Sequence, residues 1–164
     1  GVIATRLADV CVNTSAGSAI GQTEGTIFFE CKINELQSGD MRFQLSDGST
    51  NNWIFISPAE ATGTGVKGRA YINNGNVNQF SSFSGYLSEG NHKYALAYKQ
   101  NDIAFYIDGV QVALGASATI PSFDKINLSG SAPSSESTLN FLEYNQVQLY
   151  NTRLSNSELE ALTS

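Results

Sequence analysis

The sequence predicts an all-β fold, a two-sheet antiparallel jelly-roll sandwich with one short helix at its C-terminal end. Three observations predict it. Apolar residues alternate with polar ones along most of the chain, turn-forming dipeptides separate the alternating runs, and helical spacing occurs only after residue 154. Alternation with a period of two places one face of each strand on a core. Roughly ten such strands suit a sandwich larger than an immunoglobulin domain, which needs only about 100 residues.

The predicted strands follow one another over the length of the chain. In order, they cover Thr26–Ile33, Met41–Ser46, Trp53–Ile56, Val66–Ile72, a short strand around Phe80 and Phe83, Lys93–Lys99, Ile103–Ile107, Val110–Ala113, Ile126–Leu128 and Leu139–Tyr150. Turn-forming residues lie between them, and Asp108-Gly109 is the strongest of these signals. The dipeptide fits the positive φ angles of a two-residue turn, so it predicts a tight hairpin.

The C-terminal end is the one segment with helical spacing. Ser155 and Glu158 form a capping-box pattern, and Leu154 and Leu159 are spaced as a hydrophobic staple. The pattern predicts a helix from Asn156 to Thr163. Because two turns are too few to be stable alone, we expect the leucines of this helix to dock on the sandwich.

Length and composition limit the number of domains and the classes of partner. The 164 residues suffice for one domain, residues 1–164, with a well-formed core. Only 15% of the residues are charged and the formal net charge is −6, so the composition excludes nucleic acid as a partner. No apolar run approaches the roughly 20 residues that span a bilayer, and the first residues do not begin a signal peptide. We therefore expect no membrane insertion.

Two cysteines are too few for a disulfide framework or, with one histidine, for a structural zinc site. Cys31 has the same parity as the apolar residues of its strand, which places its thiol on the buried face. We expect Cys11 and Cys31 to be reduced and buried, with a bridge between them as the alternative.

Four stretches of the chain are similar to segments of laminin-G-like domains in the concanavalin A-like lectin/glucanase superfamily. They are the hairpin Phe105–Val112, the preceding strand Gly90–Tyr98, the closing strand and helix Val147–Leu159, and the opening strand Ile20–Phe29. The opening strand resembles a subset found in bacteriophage tail and spike proteins and in bacterial surface proteins. The resemblance covers about residues 20–164 and implies the jelly-roll fold. It leaves lectins, glycanases, adhesion modules and structural domains open as functions.

Catalysis is not the function that the residues favour. Glycoside hydrolysis usually needs two carboxylates across one cleft, whereas Glu24, Glu30 and Glu143 stand apart and no Glu-x-Asp-x-x-Glu run occurs. The only histidine, His92, is expected at a loop or strand edge, and there is no nucleophile-elbow motif. We predict a non-enzymatic domain, with polysaccharide degradation as the third-ranked alternative.

The sequence requires no cofactor, but calcium is an open alternative because several relatives bind it. The candidate ligands are Asp40, Asp47, Asn101, Asp102, Asp108 and Asp124. Each also has an ordinary role in a turn, since Asp and Asn side chains hydrogen-bond their own backbone. None lies in an EF-hand-like loop, so we predict no bound metal.

One predicted sheet face carries the candidate ligand-binding residues. If the aliphatic residues between 41 and 73 face the core, alternation places polar and aromatic side chains on the opposite, exposed face. Aromatic rings stack on sugar rings, and amide and guanidinium groups hydrogen-bond hydroxyls. The predicted site comprises Arg42, Gln44, Trp53, Arg69, Tyr71 and Asn73, with Phe55 on the same face. The alternatives are that the rings only cover a sheet edge or pack beneath a loop, or that recognition uses the polar loop rim at 51–52, 73–78 and 81–82.

These observations favour a binding function. We expect a cell-surface glycan or receptor as the partner, contacted by the tip of a phage or viral spike or tail fibre. The chain would then lie on the virion surface or outside the cell. The alternative is a structural or oligomerising domain of such an assembly, in which the chain forms a homotrimer.

Overall fold

The structure, a computed structural model of the chain, describes residues 12–34, 42–61, 65–130 and 142–164. These ranges contain eleven strands and one helix. They are β1 (Val12–Asn13), β2 (Glu24–Ile33), β3 (Arg42–Ser46), β4 (Trp53–Ala61), β5 (Val66–Asn74), β6 (Val77–Leu87), β7 (Gly90–Lys99), β8 (Asp102–Ile107), β9 (Val110–Gly115), β10 (Lys125–Gly130), β11 (Leu142–Tyr150) and α1 (Asn156–Thr163). None of the helices in the described ranges has the length and apolar composition needed to cross a bilayer.

The strands form two antiparallel sheets that face each other. The six-stranded sheet has the order β1-β10-β3-β4-β5-β6, and the five-stranded sheet has the order β11-β2-β7-β8-β9. Every pair of neighbouring strands is antiparallel. The predicted all-β sandwich with a short C-terminal helix is therefore confirmed.

The core lies between the two sheets. Phe29 of the five-stranded sheet stacks on Phe43 of the six-stranded sheet, with ring centroids 5.7 Å apart, and on Tyr94 at 4.9 Å. Alternation along each strand delivers these inward side chains, as the period of two predicts. Cys31 lies in the same core as a buried free thiol, as expected. Cys11 lies outside the described residues.

The helix docks on the outer face of the five-stranded sheet. Leu159 is fully buried against small residues of β7 and β8, among them Ala95 and Ala104. The predicted capping box is present, because the Ser155 hydroxyl accepts from the Glu158 amide and the Glu158 carboxylate accepts from the Ser155 amide. The helix bounds and its docking are confirmed.

Most strands extend a few residues beyond their predicted bounds, and two extend much further. The short strand expected around Phe80 and Phe83 is part of β6, which has 11 residues. The strand expected to end at Ile56 continues as β4 past Pro58 to Ala61. A proline is tolerated there because the β4–β5 register shifts between Ser57 and Glu60, and a bulge does not need its missing N–H. Met41 and the predicted strand positions 139–141 lie outside the described residues.

His92, which the sequence predicts at a loop or strand edge, is the third residue of β7 and is buried. It pairs with Cys31 of β2, and the pairing of β7 with β8 begins two residues later, at Tyr94. Its Nδ1 lies 2.6 Å from Asp108 Oδ2, and its Nε2 lies 2.9 Å from the Ser88 carbonyl oxygen. Asp108 also accepts the Lys93 amide. The imidazole therefore fixes the Asp108-Gly109 turn, where both residues have the positive φ angles that the hairpin requires (50° and 75°).

Candidate functional site

The six predicted ligand-binding residues belong to β3, β4 and β5 and share the side of the six-stranded sheet that is turned away from the core. Strand register brings them together. Phe55 lies between Gln44 on one side and Tyr71 on the other, and Trp53 lies opposite Asn73. The interleaved residues Ile54 and Ile56 are fully buried in the core. The period-two prediction of this face is confirmed by the geometry.

Two arginine side chains flank one aromatic ring on this face. The guanidinium carbon of Arg42 lies 4.3 Å from the Phe55 ring centroid, and that of Arg69 lies 5.5 Å from it. Phe55 also contacts Trp53, at a centroid distance of 4.7 Å, and stacks on Tyr71 at 5.1 Å. Cation–π contacts of this kind, when partly desolvated, are worth roughly 1–2 kcal/mol each.

Arg69 contacts Phe55, an aromatic ring of the neighbouring strand β6, and the carboxylate of Glu60. Its guanidinium carbon lies 5.0 Å from the Tyr71 ring and 4.9 Å from the Phe83 ring. Its Nη1 forms an ion pair with Glu60 Oε1 at 3.0 Å. We call the whole group, which comprises Arg42, Trp53, Phe55, Glu60, Arg69, Tyr71 and Phe83, the arginine–aromatic cluster.

The face is less exposed than predicted, and this part of the prediction is wrong for three of the six residues. Trp53 is 8% exposed, and Gln44 and Asn73 are buried. Trp53 is covered by neighbouring rings and by the Arg42 guanidinium, whose carbon lies 5.2 Å from the Trp53 ring centroid. The side-chain amide of Asn73 instead turns to the 47–52 loop and donates to the Thr50 carbonyl oxygen at 2.7 Å. Above Trp53 the solvent-facing group is therefore the Arg42 guanidinium.

Two buried polar atoms lie at the centre of this face. Ser57 and Arg69 are register partners on β4 and β5. Within the described residues, neither Ser57 Oγ nor Arg69 Nε has a hydrogen-bond partner. Buried polar groups are nearly always satisfied by protein, water or a ligand. Ser57 is fully buried, so the pair belongs to the packed interior of this face and does not contact a ligand at its surface.

Charge is distributed unevenly along this sheet. Strands β3 to β6 contain three basic residues, Arg42, Lys67 and Arg69, and Glu60 is their only acidic residue. All three cations contact aromatic rings of the same outward face. A chain with a formal net charge of −6 therefore has a locally cationic face.

The sequence prediction omitted several residues of the site. Alternation predicts Phe55 on this face, but the predicted site does not include it, nor does it include Ser57, Glu60 or Phe83. The alternation that begins at Trp53 and Phe55 continues to Ser57, so the sequence also predicts Ser57 on this face. Glu60 and Phe83 have no such signal, since bulges displace each from regular alternation.

The alternative loop rim is held together by its own hydrogen bonds. The Gly75 amide donates to Asn52 Oδ1 at 2.9 Å, and the Asn76 amide donates to the Asn51 carbonyl oxygen at 3.0 Å. Hydrogen bonds from Asn52 and from the Ser49 turn outweigh desolvation and lower the pKa of Asp47. These amide and carboxylate groups serve first to fix the 47–52 loop against the β5–β6 turn.

The calcium candidates are dispersed. In the described ranges, no group of three or more His, Cys, Asp and Glu side chains is placed to hold a metal ion. Asp102 forms an ion pair with Arg153 at 2.8 Å, and Asn101 Oδ1 accepts the Ala118 amide. Asp40 lies outside the described residues. Because calcium also uses amide and backbone oxygens, its absence stays a prediction.

The fold is similar to that of carbohydrate-binding domains of known structure. No protein-family model matches the sequence, and no curated protein sequence matches it. Ruminococcus gnavus IT-sialidase CBM40 bound to α2,3-sialyllactose matches with a TM-score of 0.68 and 16% identity, covering 99% of this chain and 96% of that one. Domain 4 of AbnA, a GH43 extracellular arabinanase from Geobacillus stearothermophilus in complex with arabinotriose, matches with a TM-score of 0.66 and 12% identity, covering 95% and 82%. This chain shares their fold.

A larger protein also contains this fold. The NanB sialidase from Streptococcus pneumoniae matches with a TM-score of 0.70 and 18% identity, over 96% of this chain. This chain spans only 28% of the length of that sialidase. At identities this low the likeness is one of fold, and function has to be argued from the residues of the site.

Proposed function

We propose that this chain is a non-catalytic carbohydrate-binding module that holds a carboxylate-bearing glycan on the arginine–aromatic cluster. The observation that carries the proposal is the concentration of cations on one sheet face. Arg42 and Arg69 flank Phe55 there, whereas the chain as a whole is acidic.

Guanidinium groups suit this ligand chemistry. An arginine side chain presents a planar fork of N–H donors that matches the two oxygens of a carboxylate. Arg69 uses Nη1 for Glu60 at 3.0 Å and Nη2 for the Ser81 hydroxyl at 3.4 Å, so its guanidinium group is already oriented on this face.

A sugar acid explains the mixture of groups better than other anions do. A polyphosphate such as a nucleic acid would meet a chain with a formal net charge of −6. Around the cluster lie hydroxyl and amide side chains, among them exposed Ser81 and Asn78, which match sugar hydroxyls. Two structures with the same fold contain bound oligosaccharides, α2,3-sialyllactose and arabinotriose. Of these, sialyllactose carries the carboxylate that a cationic face requires.

Binding without hydrolysis agrees with the carboxylates of this face. Glycosidases usually use two, an acid and a base or nucleophile, across the scissile bond. Strands β3 to β6 contain only Glu60, and its carboxylate is paired with Arg69 at 3.0 Å. Polysaccharide degradation is therefore a weaker candidate.

The placement of the module stays a prediction from the sequence. A host-contacting tip of a spike or tail fibre, a homotrimer, and a virion-surface or extracellular location all rest on the resemblance of the opening strand. A glycan-binding face agrees with that setting and equally with attachment to a larger glycan-processing enzyme.

Calorimetric titration with α2,3-sialyllactose and with neutral lactose tests the proposal. We expect wild type to bind only the charged sugar, more weakly as salt increases. Arg42→Gln and Arg69→Gln should each lower the affinity at least tenfold. Lys32→Gln, which removes the same charge from an exposed position of β2 in the other sheet, is the matched control. Equal binding of lactose, or normal binding by both arginine variants, would show that the proposal is wrong.

A further inference from the structure

Two aromatic side chains of β6 are exposed beside the arginine–aromatic cluster. Phe83, a member of the cluster, is 43% exposed, and Tyr86 is 59% exposed. They are the two aromatic members of the set of large exposed hydrophobic residues in the described ranges. Large apolar side chains on an otherwise polar face commonly mark a contact site.

A bulge in β6 turns both rings to the same side. Residues three apart on a regular strand point to opposite faces. Here Phe83 pairs with Arg69 and Tyr86 pairs with Lys67, so Ser84 and Gly85 together oppose a single residue, Gly68. The Ser84 hydroxyl accepts the Gly68 amide at 2.8 Å and donates to the Gly85 carbonyl oxygen at 2.6 Å.

Each ring is held in place by a cation from β5. The Arg69 guanidinium carbon lies 4.9 Å from the Phe83 ring centroid, and Lys67 Nζ lies 4.6 Å from that of Tyr86. The Tyr86 ring also lies against Gly65, where a Cβ would come within 2.9 Å of Cδ1. These contacts position the rings, and about half of each residue is left open to solvent.

The distance from the arginine pair around Phe55 to the two rings of β6 sets the size of a ligand that contacts both. Neighbouring strands lie about 4.8 Å apart, so β6 is roughly 10 Å from the β4 strand of Phe55. Arg69 lies between them and contacts both Phe55 and Phe83. The sugar unit next to an acidic sugar held at the arginine pair is therefore within reach of the rings on β6.

We propose that Phe83 and Tyr86 form a second subsite, on which the sugar attached to the acidic unit stacks. This inference rests on the proposed function, because it assumes that the acidic unit binds at the arginine pair. It adds that the recognised ligand is at least a disaccharide and that the direction of the glycan runs from β4 toward the sheet edge at β6. The recognition elements are ring faces, which suit the apolar face of a pyranose.

The experiment compares a trisaccharide with its acidic monosaccharide. Wild type, Phe83→Ala and Tyr86→Ala are titrated with α2,3-sialyllactose and with free N-acetylneuraminic acid. We expect each variant to bind the trisaccharide about three- to tenfold more weakly than wild type, which is the scale of one aromatic contact. Binding of the monosaccharide should not change in Tyr86→Ala, because Tyr86 lies outside the arginine–aromatic cluster and contacts Lys67. Phe83→Ala also removes a ring that Arg69 contacts, so it should weaken binding of both sugars. Tyr86→Phe, which keeps the ring, should behave as wild type.

Leu114→Ala is the matched control, because Leu114 is 55% exposed on β9 of the other sheet. If both alanine variants bind the trisaccharide like wild type, the second subsite is wrong while the arginine site stands. If wild type binds neither sugar, the proposed function itself fails, and this inference with it. A shift in sedimentation of the unliganded protein on Phe83→Ala or Tyr86→Ala would identify the pair as a protein contact and overturn the inference.

Discussion

The Arg42 guanidinium covers the Phe55 ring, with 4.3 Å between its central carbon and the ring centroid. Phe55 is 1% exposed although its side chain points away from the core. Around Phe55 and Trp53 the outward face of this sheet is thus built in two layers, aromatic rings below and guanidinium groups above, whereas Phe83 and Tyr86 on β6 are exposed. A ligand that approaches the face meets cations and their N–H donors first, so the buried rings contribute mainly by holding those cations in place.

The first prediction concerns Trp53, which lies in the lower layer beside Phe55. Trp53→Ala removes a ring that is only 8% exposed, so we expect a loss in the free energy of unfolding of about 3–5 kcal/mol. Urea denaturation followed by far-UV circular dichroism measures it. Val77→Ala, at an exposed position of β6, should change stability by about 0.5 kcal/mol or less. If the two variants have the same urea midpoint, Trp53 does not support this face.

The sequence predicts elements whose rules are local and misses features that depend on long side chains. The Asp108-Gly109 turn and the Ser155–Glu158 capping box need only neighbouring residues, and both are present. Alternation also placed Arg42 and Arg69 on one face. It could not show that these side chains fold over the rings, because that depends on packing between strands distant in sequence. Alternation alone therefore predicts exposure for every side chain on the outward face, which is wrong for Trp53, Gln44 and Asn73.

Strand β6 is predicted from the sequence only as a short strand around Phe80 and Phe83, and its full length of 11 residues is not. Its sequence is rich in Ser, Asn and Gln, and its outward and inward residues differ little in polarity, so alternation is weak. The strand forms because its backbone pairs along the length of β5. The bulge at Ser84 also reverses the alternation part-way, which hides Tyr86 from any period-two pattern.

The second prediction is a loss of stability at alkaline pH that arises in part from Cys31. Burial, with the carboxylates of Asp108 and Glu30 adding to it, raises the pKa of this thiol from 9.0 to about 12. The unfolded chain therefore releases the proton first as the pH rises. The contribution to stability is complete below pH 9 and is lost progressively up to pH 12. We expect the titration of this thiol to lower the free energy of unfolding at pH 10.5 by about 2 kcal/mol relative to pH 8. Urea denaturation at the two pH values measures the difference.

A Cys31→Ala variant separates the thiol from other groups. Burial also raises the pKa of Tyr98, which acts in the same direction. The variant should be less stable at pH 8, because it loses buried volume, but its stability should fall less steeply between pH 8 and 10.5. An unchanged slope would mean that the Cys31 thiol does not titrate as its burial requires.

The third prediction concerns docking of the C-terminal helix. Leu159→Ala empties a fully buried site between α1 and the alanines of β7 and β8, so we expect a loss of about 2–5 kcal/mol in the free energy of unfolding. An eight-residue helix is not stable undocked, so protease cleavage near the C-terminal end should also become faster. Glu160→Ala, at an exposed position of the same helix, should leave both measurements unchanged. Faster cleavage in the control as well would show that the helix frays regardless of Leu159.

The fourth prediction tests the bulge that orients Tyr86. Ser84→Ala removes the acceptor of the buried Gly68 amide, which lies 2.8 Å from the Ser84 hydroxyl. An unsatisfied buried donor costs about 1–3 kcal/mol, so the urea midpoint should fall by a corresponding amount. Ser82→Ala, two residues earlier on β6 and half-buried, is the matched control and should have a smaller effect. Because Ser84 faces away from the ligand, a lower affinity for sialyllactose in this variant, with monosaccharide binding intact, would indicate that the bulge acts by placing the Tyr86 ring. A stable variant with normal affinity for the trisaccharide would instead show that β6 keeps its bulge without this hydroxyl.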